Sequence, residues 1–454
     1  MVKASIVLAL LIILTVCFTV CAEEIKKTEN NKTSDESLYR FGLGAKIDEE
    51  STAKLASSLG LDWIRFDSTF IWGDIEPSKG SYNFENADEL VRNIQKYNVR
   101  IIGKITSFAE WDGCKSRPHK PNDMDAYKEF VKKLVERYDG DGIDDMPGLA
   151  YPIKYWIILN EVEDRAEFNG TGKDYAETLK ASYEAIKEAD PDAKVLISAP
   201  GDPSYLQSDF WKEVLENSAG YFDYGNIHYN VGSELDKDGF EDLSRGFKFY
   251  RETLASYGID VKVFGTEVSP APGDLPVDER AKLWVVGSVK SFAEGAVGIK
   301  YPYVEDMLKV LVTMTTLLKN FENVEKLGDG YYRFKVNSSY VYVAWGPAKL
   351  NLSGNFYVVD VYGNVEEMDA SSIEITDMPK YILKDSAKIE ELKDRLACIA
   401  GDVNGDGSVD VLDLTYLVNV ILGESSPTAY SDVNGDGSID VLDLTYLVNI
   451  ILGS

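Results

Sequence analysis

Residues 155–164 read YWIILNEVED. An apolar run stops abruptly at two polar side chains, Asn160 and Glu161, and it has the length and composition of a strand. Whether that strand belongs to a barrel depends on its flanks. Strand-like runs rich in Val, Ile, Phe and Tyr occur at 40–47, 61–67, 99–108, 153–161, 194–200, 222–229, 262–267 and 295–303. Amphipathic stretches of mixed charge lie between them, among them 122–138, 175–189 and 278–293. Eight such units over 40–327 predict an α/β fold, a (β/α)8 TIM barrel, whose usual size is about 250 residues. A doubly wound open sheet would place a glycine-rich phosphate loop after its first strand, and none is there.

The chain has 454 residues, 44% hydrophobic and 11% aromatic, which is ample for a packed core and for two or three domains. A net charge of −29 argues against nucleic acid and anionic membranes as partners. Lys3, an apolar run over 6–20 and Val20-Cys21-Ala22 before Glu23 read as a signal peptide over 1–22. The run is shorter than the roughly 20 residues that span a bilayer. A polar tether is expected over 23–39. Short strand-like runs, YYRFKVN, YVYVAWG, FYVVDVYG and SIEITD, predict a small β-domain over 328–384, followed by a charged linker helix over 385–400. Signal cleavage would leave Cys114 and Cys398, which nothing in the sequence pairs.

In such barrels the chemistry sits at the C-terminal ends of the strands. The fourth strand ends with Asn160 and Glu161, and the seventh, VFGTEVSP, with Glu267. The sixth, GNIHYN, carries His228 and Tyr229; the second, WIRFDSTFIW, carries Arg65, Asp67 and Trp72. Glycoside hydrolysis needs two carboxylates facing each other across a pocket. One protonates the departing oxygen and the other meets the oxocarbenium-like centre from the opposite side. Either acid alone reads as one more solvated loop carboxylate among 76 acidic residues. At strands four and seven, with an Asn before the first, they form a candidate pair.

On these residues the chain resembles, over 40–383, the clan of retaining (β/α)8 glycosidases that contains β-xylosidases, cellulases and xylanases. The added β-domain is similar to that of the β-xylosidase/iduronidase branch. IWGDIEPSKGSYNFENADELV, 71–91, matches the clan's segment after strand two. The resemblance implies Glu161 as acid/base, Glu267 as nucleophile and Asn160 as a contact to the sugar 2-hydroxyl. Arg65, His228 and Tyr229 would line the pocket near the nucleophile. A nucleophile must stay ionised, which a neighbouring Arg65 favours, and its charge keeps the proton on the acid. Retention calls for about 5–5.5 Å between the two carboxyls. Glu163, on the same side of an extended segment, is the fallback acid. The eighth strand, VGIKYPYVED, lacks the Trp that many clan members place under the sugar, leaving Tyr301 or Tyr303 to substitute. Trp72 and Trp111 are candidate sugar platforms, with buried packing as the alternative for each. His119 reads as a surface residue, and YDGDGIDDMPG, from Tyr138, as a solvated acidic turn, with a calcium held by acids at loop spacing as the alternative.

The last segment, 401–454, repeats itself: GDVNGDGSVDVLDLTYLVNVILG and SDVNGDGSIDVLDLTYLVNIILG. Asp402, Asn404, Asp406, Ser408, Asp410 and Asp413 fall at positions one, three, five, seven, nine and twelve of an EF-hand-type loop, with Gly407 at the sharp turn. Asp432, Asn434, Asp436, Ser438, Asp440 and Asp443, with Gly437, repeat the spacing. Hard oxygen ligands in this alternation predict two calcium ions. Position twelve is Asp rather than Glu, and no helix-forming segment precedes either loop closely enough to complete an ordinary EF-hand. A helix follows, with Leu414, Leu417, Val418 and Ile421 on one face and Gly423 as its stop. Loop plus one helix in tandem, over 402–423 and 432–453, resembles dockerin, the plug by which secreted glycosidases attach to cohesin sockets. The whole predicts a secreted or surface-attached retaining glycosidase acting on a poly- or oligosaccharide. The alternative is a catalytically silent barrel that binds carbohydrate or serves as a structural surface protein.

Overall fold

The computed structural model describes residues 36–44, 48–66, 69–236, 239, 241–404, 409–428, 430–434 and 438–452, with backbone alone for 397–400. The expected signal peptide, most of the tether and Asp67 lie outside the described residues.

Strands β1 Phe41–Gly44, β2 Trp63–Arg65, β3 Arg100–Thr106, β4 Tyr155–Ile158, β5 Lys194–Leu196, β6 Gly225–Asn230, β7 Val263–Ser269 and β8 Ala296–Pro302 alternate with helices. The helices are α1 Glu49–Ser58, α2 Glu85–Gln95, α3 Met124–Tyr138, α4 Gly172–Ala189, α5 Asp209–Ser218, α6 Ser244–Ser256, α7 Val277–Ala293 and α8 Leu308–Leu318. Their starts are written locally. Asp48 caps α1 by accepting the Ser51 N–H, and Thr171 with Asp174 forms a capping box on α4.

The strands pair in parallel in the order β5-β4-β3-β2-β1-β8-β7-β6. The seam between β5 and β6 closes through the Leu196–Tyr224 bridge, with the Asp223 N–H donating to the Val195 carbonyl at 2.8 Å. This is the (β/α)8 barrel. Its floor is aromatic, with Tyr39, Trp63, Tyr155, Tyr224 and Phe264 packed on Ile102, Ile157, Leu196 and Val297. A Cβ on Gly42 would come within 2.5 Å of the Trp63 ring, so only glycine admits that ring. The expected tether therefore stops short of Tyr39. Glu36–Tyr39 is a helical turn, and its Tyr39 carbonyl accepts the Trp63 indole N–H at 2.9 Å.

A second, antiparallel sheet follows: β9 Phe321–Gly328, β10 Tyr331–Val336, β11 Ser339–Ala344, β12 Asn355–Val359, β13 Val365–Asp369 and β14 Lys380–Leu383. The order is β9-β10-β11-β14-β12-β13. It begins inside the range read as barrel, at Phe321, whose ring lies 4.1 Å under the Arg40 guanidinium. SIEITD is not a strand. Ile373 and Ile375 do turn toward the sheet core, but a turn at Ala370–Ser372 precedes them. Pro379, with no N–H to donate, follows. The pairing falls instead to β13 and β14.

Three more helices follow, α9 Ser386–Gly401, α10 Val411–Ile421 and α11 Val441–Leu452; α9 runs to the residue before Asp402, so a helix does directly precede the first loop. Val403, Leu417, Val433 and Leu447 form the C-terminal core, with Leu414 and Ile421 packed against it. Val418 is 38% exposed, so it leaves the face assigned to it from the sequence. Gly423 stops α10 with a left-handed φ of 76°.

Candidate active site

Beyond Ile158 the chain leaves the extended conformation. Leu159 and Glu161 take φ of 62° and 39°, left-handed values that cost a non-glycine residue roughly 1–3 kcal/mol. Leu159 is held there by burial and by its N–H donating to the Ile105 carbonyl at 3.0 Å. Beyond this kink, the side chains of Asn160 and Glu161 meet residues from β2 and β6. From β7 comes Glu267, which pairs with His228 of β6 just after a register shift at Ile227.

Arg65, buried on β2, joins these groups. Its Nη2 donates to Glu267 Oε1. Its Nη1 lies 3.3 Å from Asn160 Oδ1, 3.3 Å from Thr266 Oγ1 and 3.2 Å from His228 Nε2. A guanidinium can only donate, so Nε2 accepts and the network assigns the imidazole proton to Nδ1. That N–H then donates to Glu161 Oε1 at 2.7 Å. Thr266 in turn donates to Asn226 Oδ1 at 2.7 Å. An oxygen of Glu161 and one of Glu267 lie within 4.8 Å of each other.

Burial would raise the Glu267 carboxyl, but the charges of His228, Arg65 and Lys300 and the Arg65 hydrogen bond overcome it and bring its pKa to about 2. Burial lowers the His228 pKa, with Arg65 adding to it against the pull of the two carboxylates. Near neutral pH the imidazole is therefore neutral, and Arg65 and Lys300 are the charges that keep Glu267 ionised. Ionisation of Glu267 favours the folded state above its ordinary value of 4.5, and that contribution is lost as pH falls toward 2. Arg65→Met is expected to raise the Glu267 pKa by at least about one unit. A carbon-13 NMR titration of the Glu267 carboxyl, with Lys300→Met as comparison, reads the shift; an unmoved midpoint would refute Arg65 as a support of the ionised carboxylate.

Several other expectations are corrected. Tyr229 alternates outward from His228; its hydroxyl donates to the buried Asp236 at 2.7 Å and its ring packs against Gly246 of α6. Tyr301 likewise faces α7 and donates to Ser288 at 2.7 Å. Trp72 is fully buried among Trp111, Tyr127 and Phe130, with its indole on Glu76. Trp111 is part-exposed and lines an open depression of about 680 Å³ with Lys79, Asp112, Asn122 and Asp123. That depression does not include Glu161 or Glu267. A smaller cavity of about 270 Å³ adjoins them through Asn160, lined also by Lys104, Thr106, Phe108 and Arg117. Tyr303 remains 38% exposed at the end of β8. Glu163 comes close to Glu161 at Gly201 but is no spare acid, because its two oxygens are committed to the Gly201 and Trp211 N–H groups. In the acidic turn, the N–H groups of Gly140 and Gly142 donate to Asp145 and that of Asp141 to Asp139. Thr266, Asn226 and Lys300 were missed.

In the C-terminal segment Asp413 and Asp443 are wholly buried. Each carboxylate accepts two N–H groups of its own loop: Asn404 at 3.0 Å and Asp410 at 2.8 Å in one, Asn434 and Asp440 at the same distances in the other. Asp402, Asp432 and Ser438 are among the described residues; Asp406, Ser408 and Asp436 lie outside them. No Lys or Arg occurs in 401–454. Buried carboxylates need a counter-charge, and with no basic side chain in the module the oxygen donors fit a hard cation.

Residues 400–452 match the family model of the Dockerin type I domain, so the chain carries a C-terminal dockerin. Exoglucanase XynX of Acetivibrio thermocellus is 25% identical over 207 residues, 42% of this chain and 18% of that protein. Endo-1,4-beta-xylanase 2 of Claviceps purpurea is 27% identical over 146 residues, 30% of this chain and 38% of that protein. The chain thus matches well under half the length of these curated relatives. A family 39 glycoside hydrolase from Bacteroides cellulosilyticus superposes with a TM-score of 0.52 at 16% identity, covering 77% of this chain and 82% of that one. A family 39 β-xylosidase from Caulobacter crescentus gives 0.51 at 13%, covering 74% and 84%. At such identities the likeness is one of fold.

Proposed function

We propose that the chain is a retaining glycoside hydrolase acting on β-linked xylose-containing poly- or oligosaccharides. The observation that carries the reading is the pair Glu161 and Glu267, with oxygens within 4.8 Å of each other at the ends of β4 and β7. That spacing accords with direct attack and leaves little room for the intervening water of an inverting enzyme. The endo-1,4-beta-xylanase relative supports the sugar.

In the first step a Glu267 oxygen attacks the anomeric carbon while its bond to the leaving oxygen breaks and Glu161 gives that oxygen its proton. Because His228 Nδ1–H occupies Glu161 Oε1, the acidic proton sits on Oε2. In the second step water attacks the same carbon, Glu161 takes the water proton, and Glu267 leaves as the carboxylate. Asn160 binds the sugar beside the acid. Turnover of aryl β-xylosides separates this from a silent barrel, and proton NMR of the first-formed product should show the β-anomer. An α-anomer would refute retention.

The dockerin would hold two calcium ions, one per loop, and attach the exported enzyme to a cohesin on a scaffold or cell surface. Among the described residues no helix is long and apolar enough to cross a membrane. Val411 and Leu412 are 51% and 57% exposed, and Val441 and Leu442 are 65% and 57% exposed. These two equivalent faces would offer one socket two interchangeable plugs. Val411→Lys with Leu412→Asp should leave cohesin affinity within about threefold by calorimetry, whereas charging both faces should abolish binding. Loss of binding from either single-face variant would show that the copies are not interchangeable.

A further inference from the structure

We propose that Glu163 is a positioning residue for the acid/base: by tying the end of β4 to the β5–α5 connection it holds the Glu161 carboxyl in place. The inference rests on the assignment of Glu161 as the acid.

Glu163 makes one bond to the β5–α5 connection and one to α5 itself. Its Oε1 accepts the Gly201 N–H at 2.7 Å and its Oε2 the Trp211 indole N–H at 3.0 Å. Gly201 is where the two glutamates meet. A Cβ placed there would lie 3.4 Å from Glu161 Cδ and 3.5 Å from Oε1 of both Glu161 and Glu163. The Glu161 carboxyl therefore rests on Gly201 on one side and accepts His228 on the other. Burial pushes the Glu163 carboxyl up and the Glu161 charge adds to this, while the donors from Gly201 and Trp211 oppose it.

The backbone shows why a brace is needed. Leu159 and Glu161 both sit in left-handed conformations, and such strain persists only where surroundings over-determine it. Tyr175 of α4 supplies part of the support: its hydroxyl donates to the Ile158 carbonyl at 3.1 Å and accepts the Ser198 N–H at 2.7 Å. Its ring meets Trp211 edge-on. Those bonds fix the strand before the kink. Glu163 fixes the chain after it, leaving Glu161 clamped between.

The test uses the full chain and three substrates, dinitrophenyl, nitrophenyl and phenyl β-D-xylosides. Only the poor leaving groups need the proton, so a displaced acid shows as a steeper dependence on the leaving group. For Glu163→Ala, kcat/KM on the phenyl glycoside should fall roughly 10–100-fold more than on the dinitrophenyl glycoside. Trp211→Phe should move the same way by less, and Glu163→Gln, which keeps an acceptor for Gly201, should recover part of the loss. A purely structural role would lower all three substrates together. That equal loss, or no loss, overturns the proposal. If Glu163→Ala does not fold, Trp211→Phe decides on the same criterion. Glu161→Ala is run alongside. If it steepens the dependence and the Glu163 variants do not, only this proposal falls; if it does not, or no xyloside is turned over, the site assignment falls and takes the proposal with it.

Discussion

Glu267→Ala is expected to lower turnover of aryl β-xylosides by roughly 10⁴–10⁶-fold, about 5–8 kcal/mol of transition-state stabilisation. The size follows from what the residue supplies. Without a carboxylate facing the anomeric carbon, the covalent intermediate cannot form and only slow direct attack remains. The fold should survive, because Arg65 keeps acceptors on Asn160, Thr266 and His228 Nε2. Removing a partner from a buried guanidinium still costs stability, so Glu267→Gln, which retains an oxygen for Nη2, is the companion variant. Added azide should enter the space left by the truncated side chain and give a glycosyl azide of inverted configuration. With Glu161→Ala, azide should instead intercept the glycosyl-enzyme and give the retained azide. Product NMR separates the two. A retained azide from Glu267→Ala would exclude Glu267 as nucleophile, and residual activity above a few per cent would do the same.

The barrel was legible because each strand is a separate apolar run and each of the runs at β4 and β7 ends in an acid. Legibility failed where the side of a strand mattered. In GNIHYN the period of two sends His228 inward and Tyr229 outward, and reading both as pocket residues ignored it. The same alternation along β7 brings Thr266 inward, to Arg65 and His228, with Glu267 reaching the same network only through the register shift in the β6–β7 pairing. No local pattern announces that shift. Glu163 misled for a related reason. Its position two residues beyond Glu161 does bring both carboxyls to Gly201, but its oxygens are spent on the Gly201 and Trp211 N–H groups, which no spacing announces. In the second sheet, the alternation in SIEITD is real as packing, since Ile373 and Ile375 turn inward. Hydrophobic period alone cannot say whether a segment finds a backbone partner.

Chelation is expected to have the other large effect, melting the dockerin while the barrel stays folded. The module buries few apolar side chains, with Val403, Leu417, Val433 and Leu447 at its core. Segments of fewer than about 70 residues rarely fold on so little without a staple. Against that stand nine acidic residues in 401–454 with no Lys or Arg. Two of them, Asp413 and Asp443, are wholly buried. Asp410 and Asp413 also close a capping box at the start of α10, so the residues that would bind the ion are those that begin the helix. Without a cation the buried carboxylates repel their neighbours and the caps have no reason to form; with it, charge and loop are fixed together. Calcium at 1,000 times its dissociation constant would stabilise each site by about 4 kcal/mol. Calorimetry of the full chain should therefore show two transitions in calcium and lose one in EDTA, with far-UV circular dichroism of isolated 401–454 falling toward coil. Acidification should act like EDTA, because protons compete for the same oxygens. An isolated segment equally helical with and without EDTA would mean that the four-residue core suffices, and the duplicated loops would then need another explanation than metal-held folding.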